Sequence, residues 1–348
     1  MMASRLLIRL LLVVVPILAS AAFCTSVLNP TPAHAQAPIV LKIAGWAPPT
    51  HGVDQLKLKW MEEIEKRTNN RVKFQHFPAG TLLKADNMYD GLVTGVADVG
   101  DSFFAWSPGR FPLMGCLDLP LGFPSSSVAS RVVRDVYQRF KPKELADVYI
   151  MHVASTGPPM LASKKPVRNM DDLKGMKIRT PGVAAETIKL LGAAPVVMSM
   201  GESYDALSKG VVEGCSGSAE SLLMFKLAEV SKYVTKIKSV GFVTANYTAM
   251  SLATWNRLPQ DIQKIFNEIN EKRTFQIGEF WDVSDQQGYE HAKKLGLEII
   301  ELSPAEDARW VAAVQPVIEK YTGQLEAKGL PAKEVVKYVR ECITKYAK

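Results

Sequence analysis

The sequence is poor in cysteine and histidine, and it lacks the spacings through which these residues usually bind metals. Only 4 of its 348 residues are cysteine and 5 are histidine. There is no C-x-x-C pair and no pair of histidines three or four positions apart, so no metal site is indicated. Cys24 belongs to an apolar N-terminal segment. The remaining cysteines allow at most one disulfide, and the sequence leaves its partners open: Cys116, Cys215 and Cys342.

Complete catalytic motifs and nucleotide-binding loops are also missing. No Walker loop and no G-x-G-x-x-G is present, and we therefore expect no cofactor. Gly100-Asp101-Ser102 copies the nucleophile block of GDS-type esterases, in which the serine needs the histidine of a D-x-x-H motif near the C-terminus. The last histidine, His291, has Gly288 three positions before it instead of aspartate. An exported esterase that uses Ser102 stays an alternative, but the sequence does not predict an enzyme.

The excess of positive charge is small and is not gathered into a block. The formal net charge is +7, from 42 basic and 35 acidic residues. Lysines are scattered along helical stretches, as at Lys293-Lys294, without the interleaved aromatic residues typical of nucleic-acid binding. We therefore expect no nucleic-acid partner and at most a weak bias towards anionic small molecules.

Residues 1–35 have the pattern of a secretory signal peptide. Arg5 and Arg9 precede an apolar run from Leu10 to Phe23, and Ala33-His34-Ala35 forms an A-x-A cleavage site. A proline interrupts the run, which is shorter than the roughly 20 residues of a spanning helix, so a retained membrane anchor is the weaker interpretation. We expect cleavage after Ala35 and export of the mature chain.

Strand and helix patterns alternate along the rest of the chain, which predicts an α/β protein with largely parallel sheets. With 47% hydrophobic residues the chain can fill more than one core, so two domains are expected. The Gly157-Pro158-Pro159 segment has the composition of a crossing between them. Predicted strands are 39–44, 71–76, 97–100, 149–154, 176–180, 195–198 and 297–300. Predicted helices are 53–67, 86–94, 183–191, 259–295, 304–328, one that carries Tyr204, Leu207 and Val211, and one after Pro331.

The helical pattern from Pro259 to Leu295 is the longest in the sequence. Only Gly278 and Gly288 interrupt it, and no proline follows Pro259 within it. A helix rises about 1.5 Å per residue, so one of this length could span both domains.

A short strand ends in a positive charge within residues 173–182, LKGMKIRTPG. Met176 and Ile178 predict a buried strand, and Arg179 lies at its carboxyl end, just before a helix that is expected to start after Pro181. Ligands of open α/β sheets bind beyond the carboxyl ends of the strands. A guanidinium beside free helix N–H groups can bind a carboxylate. An ion-paired or solvated surface arginine is the alternative that this local sequence leaves open.

The order of several motifs resembles one known family. The strings DLKGMKIRTPG at 172–182, LLGAAPVVM at 190–198 and ESYDALSKGVVEG at 202–214 are similar to the signature of the solute-binding proteins of tripartite ATP-independent periplasmic (TRAP) transporters, the DctP-like family. GLVTGVADVG at 91–100 and TWNRLPQDIQKIF at 254–266 extend the resemblance over nearly all of the chain after the leader.

This resemblance implies a two-domain periplasmic binding protein fold with a ligand cleft between the domains and a long helix that spans both. Domain I would comprise 36–156 and 243–282, and domain II would comprise 157–242 and 283–348. The arginine of the K-I-R motif pairs with the substrate carboxylate in the family, and that residue is Arg179 here. The other residues expected to face the ligand are Trp46, Asp101, Ser102, Phe103, Met200, Ser216, Gly217 and Ser218.

Two departures from the family pattern bear on the ligand. Members that bind sialic acid carry a second arginine where Pro159 stands here, and an asparagine where Gly217 stands. Trp46, Phe103 and Met200 instead suggest apolar walls. The expected ligand is therefore a monocarboxylate with an apolar or aromatic body, followed by a C4-dicarboxylate or a 2-oxo acid.

The resemblance also implies the partners and the working cycle. The protein would close over its ligand by a hinge motion and deliver it to a membrane permease of one small and one large subunit. No bond would be made or broken. A periplasmic subunit that serves a ligand sensor is an alternative that the chain leaves open.

Overall fold

The computed structural model describes residues 37–347. The signal peptide and its cleavage after Ala35 therefore lie outside the described residues. Among residues 37–347, none of the helices combines the length and the apolarity that crossing a membrane requires.

The strands form two separate sheets. Sheet I has the order β2-β1-β3-β10-β4, and sheet II has the order β11-β9-β5-β8-β6-β7. We call the parts of the molecule built on these sheets lobe I and lobe II. The strands are β1 Ile39–Ala44, β2 Val72–Phe77, β3 Val99–Phe103, β4 Val148–Ser155, β5 Met160–Ser163, β6 Lys177–Thr180, β7 Ala194–Val197, β8 Gly214–Gly217, β9 Tyr233–Lys236, β10 Ala245–Ser251 and β11 Glu298–Glu301.

The prediction of largely parallel sheets is wrong for two strands. β10 runs antiparallel to both β3 and β4, and β5 runs antiparallel to both β8 and β9. The reason lies in the crossings between lobes. The chain leaves sheet I at Ser155, and it returns at Ala245, which pairs with Ser155. β4 leaves the sheet at the point where β10 enters it, so the two strands run in opposite directions and β10 is antiparallel to β4. The Gly157–Pro159 segment is the first of these crossings, as predicted.

The helices cover the faces of both sheets. They are α1 Gly52–Arg67, α2 Met88–Val93, α3 Ser126–Phe140, α4 Ala185–Leu190, α5 Ser203–Ser208, α6 Ser221–Met224, α7 Leu252–Arg257, α8 Gln260–Asn270, α9 Arg273–Lys294, α10 Pro304–Glu326 and α11 Ala332–Tyr346. α10 begins at the predicted residue, since Ser303 is its N-cap and accepts a hydrogen bond from Glu306 N–H, with Pro304 in the first turn.

The long helix expected from Pro259 to Leu295 is broken into α8 and α9 at residues 271–272. Asn270 ends α8 by accepting a hydrogen bond from the indole of Trp60, at 2.9 Å. Near the start of α9, the hydroxyl of Thr274 donates to the carbonyl of Val153, at 2.8 Å. We attribute the break to these contacts with distant residues, because no proline or glycine marks it. α9 contacts both lobes, through α3 on one side and α6 on the other.

Buried apolar side chains form separate cores in the two lobes. In lobe I, Leu41, Ile43 and Trp60 pack together between β1 and α1. In lobe II, Ile178 packs with Trp310 of α10. The last helix, α11, packs against α3 of lobe I. Within residues 37–347 all the cysteines are free and buried, so no disulfide forms among them: Cys116, Cys215 and Cys342.

Candidate ligand-binding site

Arg179 is held inside the molecule at the third position of β6. Its neighbours across the sheet are Val196 of β7 and Cys215 of β8. Ile178 points into the core of lobe II, so the alternation of a strand directs Arg179 to the opposite face. Only 3% of Arg179 is exposed. The surface arginine that the local sequence left open is therefore not what the structure contains.

Backbone carbonyls fix the orientation of this guanidinium. Nε and Nη2 of Arg179 donate to the carbonyl of Met198, at 3.1 and 2.9 Å. Nη1 donates to the carbonyl of Ser216, at 3.0 Å. A guanidinium carries five N–H groups. These contacts therefore leave one N–H on each terminal nitrogen for another acceptor, which is the fork that a carboxylate fits.

The charge of Arg179 is not neutralised by a neighbouring side chain. Among residues 37–347, no Asp or Glu forms an ion pair or a hydrogen bond with it. Burial lowers the pKa of Arg179, while Cys215 and, more weakly, Glu202 raise it. A guanidinium remains charged after such a shift. A buried cation without a counter-ion attracts an anion. An anion bound here would be stabilised both by the positive charge and by hydrogen bonds from the guanidinium.

A cleft between the lobes opens in front of Arg179, with a free volume of about 70 Å³. It brings together most of the residues that the sequence pointed to, from both halves of the chain. The predicted residues among its lining are Trp46, Phe103, Arg179, Met200, Gly217 and Ser218.

The walls of the cleft are mainly aromatic and apolar. Trp46, Phe103 and Trp106 form one cluster, with ring centroids 4.3 to 5.3 Å apart. On the other side, Gly217 leaves room for the Met200 side chain, since a Cβ on Gly217 would lie 2.7 Å from Met200 Cε. Flat apolar surfaces beside a charged anchor suit an acid with an apolar body.

Three predicted residues do not line this cleft. Asp101 is buried beside Lys57, whose Nζ lies 2.6 Å from Asp101 Oδ1, in a neighbouring cavity. Ser102 is buried, and its hydroxyl donates to the carbonyl of Ala85 at 2.7 Å. Ser216 is fully buried and acts on the site through its backbone carbonyl. A serine whose hydroxyl is committed to a backbone carbonyl is poorly placed as a nucleophile, which weighs against the esterase alternative.

Several lining residues were missed by the sequence analysis. Glu220 of lobe II is 3% exposed, and its Oε2 lies 3.7 Å from Nε2 of His51 in lobe I. The Ser218 hydroxyl donates to Glu220 Oε1, at 3.3 Å. No motif marks these residues, which lie far apart in the sequence and meet only when the lobes come together. The other missed lining residues are Trp106, Thr156, Pro181, Phe225, Thr244 and Trp281.

The described residues offer no obvious metal site near the cleft. Within residues 37–347, no group of at least three His, Cys, Asp or Glu side chains is arranged to hold a metal ion.

Comparison with known proteins defines the class of this protein. Residues 44–324 match the model of the DctP family, described as bacterial extracellular solute-binding protein, family 7. The chain belongs to this family of TRAP solute-binding proteins. Members are extracytoplasmic components that bind small molecules for a membrane permease, and they are not enzymes.

Solved structures show the same fold. A TRAP periplasmic solute-binding protein from Desulfovibrio salexigens is 34% identical and covers 89% of this chain and 97% of its own, with a TM-score of 0.81. A marine metagenome protein specific for aromatic acids, in complex with 3-hydroxybenzoate, is 25% identical over 90% of this chain and 100% of its own, with a TM-score of 0.85. A Bordetella bronchiseptica protein with bound mandelate is 26% identical over 88% of this chain and 99% of its own, with a TM-score of 0.81.

Proposed function

We propose that this protein binds a monocarboxylate with an apolar or aromatic body and delivers it to the small and large subunits of a TRAP permease. Arg179 would bind the carboxylate, and the rings of Trp46, Phe103 and Trp106 would contact the body. The observation that carries the proposal is the Arg179 guanidinium, which is buried at the end of an aromatic cleft and has no counter-ion among residues 37–347.

The composition of the cleft supports this choice over more polar acids. No second arginine or lysine lines it among the described residues, and Pro159 stands where members that bind sialic acid carry an arginine. Two similar structures hold aromatic acids, 3-hydroxybenzoate in one and mandelate in the other. A C4-dicarboxylate or a 2-oxo acid is the next candidate.

The organisation expected from the family resemblance belongs to the same proposal. Domain I would comprise 36–156 and 243–282, domain II 157–242 and 283–348, and the mature chain would start at Gln36 in the periplasm. Ligand would stabilise the closed state by contacting both domains at once, because only that state presents Arg179 and the aromatic wall together.

Calorimetry on the purified chain tests the proposal. We expect benzoate or mandelate to bind, and succinate, pyruvate and glucuronate to bind more weakly. Arg179→Ala should weaken the binding by at least about tenfold, whereas Arg168→Ala, which removes an exposed arginine paired with Glu298, should not. Tight binding of glucuronate alone, or an Arg179→Ala affinity equal to the wild type, would contradict the proposal.

The esterase alternative has its own assay. We expect no hydrolysis of p-nitrophenyl acetate by the wild type above the rate of Ser102→Ala. Turnover that disappears in Ser102→Ala would show an enzyme instead.

A further inference from the structure

A second cavity lies next to the ligand cleft, in lobe I and beside α9. Trp46, Phe103 and Trp281 line both spaces, so the two adjoin at these rings. The second cavity has a free volume of about 30 Å³, which is enough for one or two water-sized groups. We call it the polar chamber, after the polar side chains that line it: Lys57, Asp101, His152, Asn246, Thr248 and Arg273.

The polar chamber is built around buried charges. Asp101 and Arg273 are 6% and 7% exposed. Lys57 Nζ lies 2.6 Å from Asp101 Oδ1 and 3.3 Å from Asp54 Oδ1, so this lysine is paired. Within residues 37–347, Arg273 forms no ion pair or hydrogen bond with an Asp or Glu, although Glu63 and Asp101 act on it electrostatically. The chamber therefore contains a second buried guanidinium that is not closely paired.

Unpartnered donors and acceptors from separate elements line this one space. Among the described residues, Asp101 Oδ2, His152 Nδ1, Arg273 Nε and Trp281 Nε1 have no hydrogen-bond partner. Burial lowers the pKa of His152 well below its usual range, and the positive charge of Arg273 adds a smaller effect in the same direction, so the imidazole is neutral. Buried polar groups are normally hydrogen-bonded, and those that line a ligand site often wait for a ligand group.

The mixture of these groups selects what can enter. The Asp101 carboxylate accepts hydrogen bonds, and it opposes the attraction that Arg273, which lines the same space, would have for a second carboxylate. The charges of Lys57 and Arg273 repel an amine. A hydroxyl group can donate to Asp101 and accept from the Arg273 or Trp281 N–H, and its size suits a chamber with room for one or two water-sized groups.

We propose that the polar chamber receives a hydroxyl group on the body of the carboxylate ligand. This inference rests on the proposed function, because the carboxylate of the same molecule must be held by Arg179. The protein would thus prefer hydroxylated aromatic acids to unsubstituted ones. Asp101 does not line the cleft, but it would accept a hydrogen bond from the ligand's hydroxyl group in the chamber.

The first experiment compares matched acids by calorimetry: benzoate, its three monohydroxy isomers, and isophthalate, which replaces a hydroxyl with a second carboxylate. We expect at least one hydroxybenzoate to bind about tenfold more tightly than benzoate, and isophthalate to bind more weakly than that isomer. If benzoate binds and no hydroxyl improves its affinity, or if isophthalate binds best, the chamber proposal is wrong while the proposed function stands. If none of these acids binds, the chamber proposal is wrong, and if mandelate does not bind either, the proposed function falls with it.

Two variants locate the effect. Asp101→Asn keeps the shape and removes the negative charge, and Trp281→Phe keeps a ring while removing the indole N–H. We expect either variant to reduce the ratio of hydroxybenzoate to benzoate affinity, and Asp101→Asn to improve isophthalate binding. Trp255→Phe, a buried tryptophan stacked on Tyr149 away from the cleft, is the control. If Asp101→Asn does not fold, Trp281→Phe decides, and an unchanged ratio in that variant would overturn the assignment.

Discussion

Gly288 of α9 lies directly against the backbone of Ala219, so that a Cβ at position 288 would stand 1.9 Å from the Ala219 carbonyl oxygen. Nearer the start of the same helix, a Cβ at Gly278 would stand 3.1 Å from the Cα of Ser127 in α3. Ala219 belongs to lobe II and Ser127 to lobe I. The glycines that interrupt the helical pattern are thus points where α9 approaches each lobe closely.

Gly288→Ala should destabilise the protein. The new methyl group meets a backbone atom that cannot move without shifting the turn before α6, and such overpacking costs about 1–3 kcal/mol or more. Gly323→Ala is the control, because position 323 is an exposed helical site with nothing within 4 Å of a new Cβ. That variant should gain about 0.5–1 kcal/mol. Urea unfolding measures both, and equal stabilities would show that the close approach is absent.

Arg179→Lys should weaken carboxylate binding by at least about tenfold, although it keeps the positive charge. A lysine cannot donate to the Met198 and Ser216 carbonyls and still offer a fork to the ligand. Calorimetry with benzoate measures the loss. The exposed Arg168→Lys provides the matched control, and a full affinity in Arg179→Lys would mean that charge alone binds the ligand.

Gly217→Ala should reduce the affinity for aromatic acids by about tenfold. A Cβ at position 217 would lie 2.7 Å from Met200 Cε and 3.9 Å from Arg179 Nη1, so it takes space beside the anchor. Gly201→Ala is the control, since the nearest atom to its new Cβ is 4.0 Å away. Calorimetry with benzoate distinguishes the two variants. Equal losses in both would show that position 217 has no special place in the site.

The carboxyl group of Asp118 should make stability fall as the pH rises from about 4 to about 8. Burial raises the pKa of Asp118 to about 8, although Ala245 N–H donates to its Oδ1 at 2.9 Å. An unfolded aspartate titrates near about 4, so the folded protein binds this proton more tightly than the unfolded chain. Between these two pKa values the folded state loses up to about 1.4 kcal/mol per pH unit from this group.

Asp118→Asn tests this linkage. The amide oxygen can still accept from Ala245, and the variant carries no titrating group at this position. We expect the difference in unfolding free energy between pH 5 and pH 8 to shrink relative to the wild type. Asp86→Asn, at an exposed position, should leave the difference unchanged. An unaltered pH dependence in Asp118→Asn would mean that the carboxyl titrates normally.

Local sequence patterns were sufficient to predict those strands and helices whose capping residues or side-chain alternation lie within a few neighbouring residues. The strand at Ile39–Ala44 has the predicted bounds. The start of α10 follows from Ser303 and Pro304 alone. In these cases backbone capping and side-chain alternation decide the structure, and both can be read from neighbouring residues.

Features that depend on the second lobe were not predictable in this way. The short strands β5, β8, β9 and β10 were not identified, and the antiparallel direction of β10 follows from the chain's return to Ser155. The break between α8 and α9 depends on Trp60, which is 210 residues away from Asn270. Such choices are made by tertiary contacts that override local propensity.

The candidate site shows the same contrast between residues that local sequence identifies and contacts that only the tertiary structure creates. Arg179 was identified from a strand end and a motif, and the structure buries it in the cleft. Ser102 was expected just after the strand that ends near residue 100, but it lies within β3, and its hydroxyl donates to the carbonyl of Ala85 instead of facing the ligand space. The neighbourhood of Glu220 and His51 depends on the meeting of two lobes, and neither residue belongs to a motif.

Arg179 is oriented by the carbonyls of Met198 and Ser216, and this has a consequence for how the family can diversify. Main-chain carbonyls are present whatever side chain a position carries, so no single substitution at 198 or 216 removes the groups that aim the guanidinium. Mutations can therefore alter the rings, the glycine and the polar chamber, and so change which acid fits, without first dismantling the anchor. A new specificity can evolve through intermediates that still bind a carboxylate.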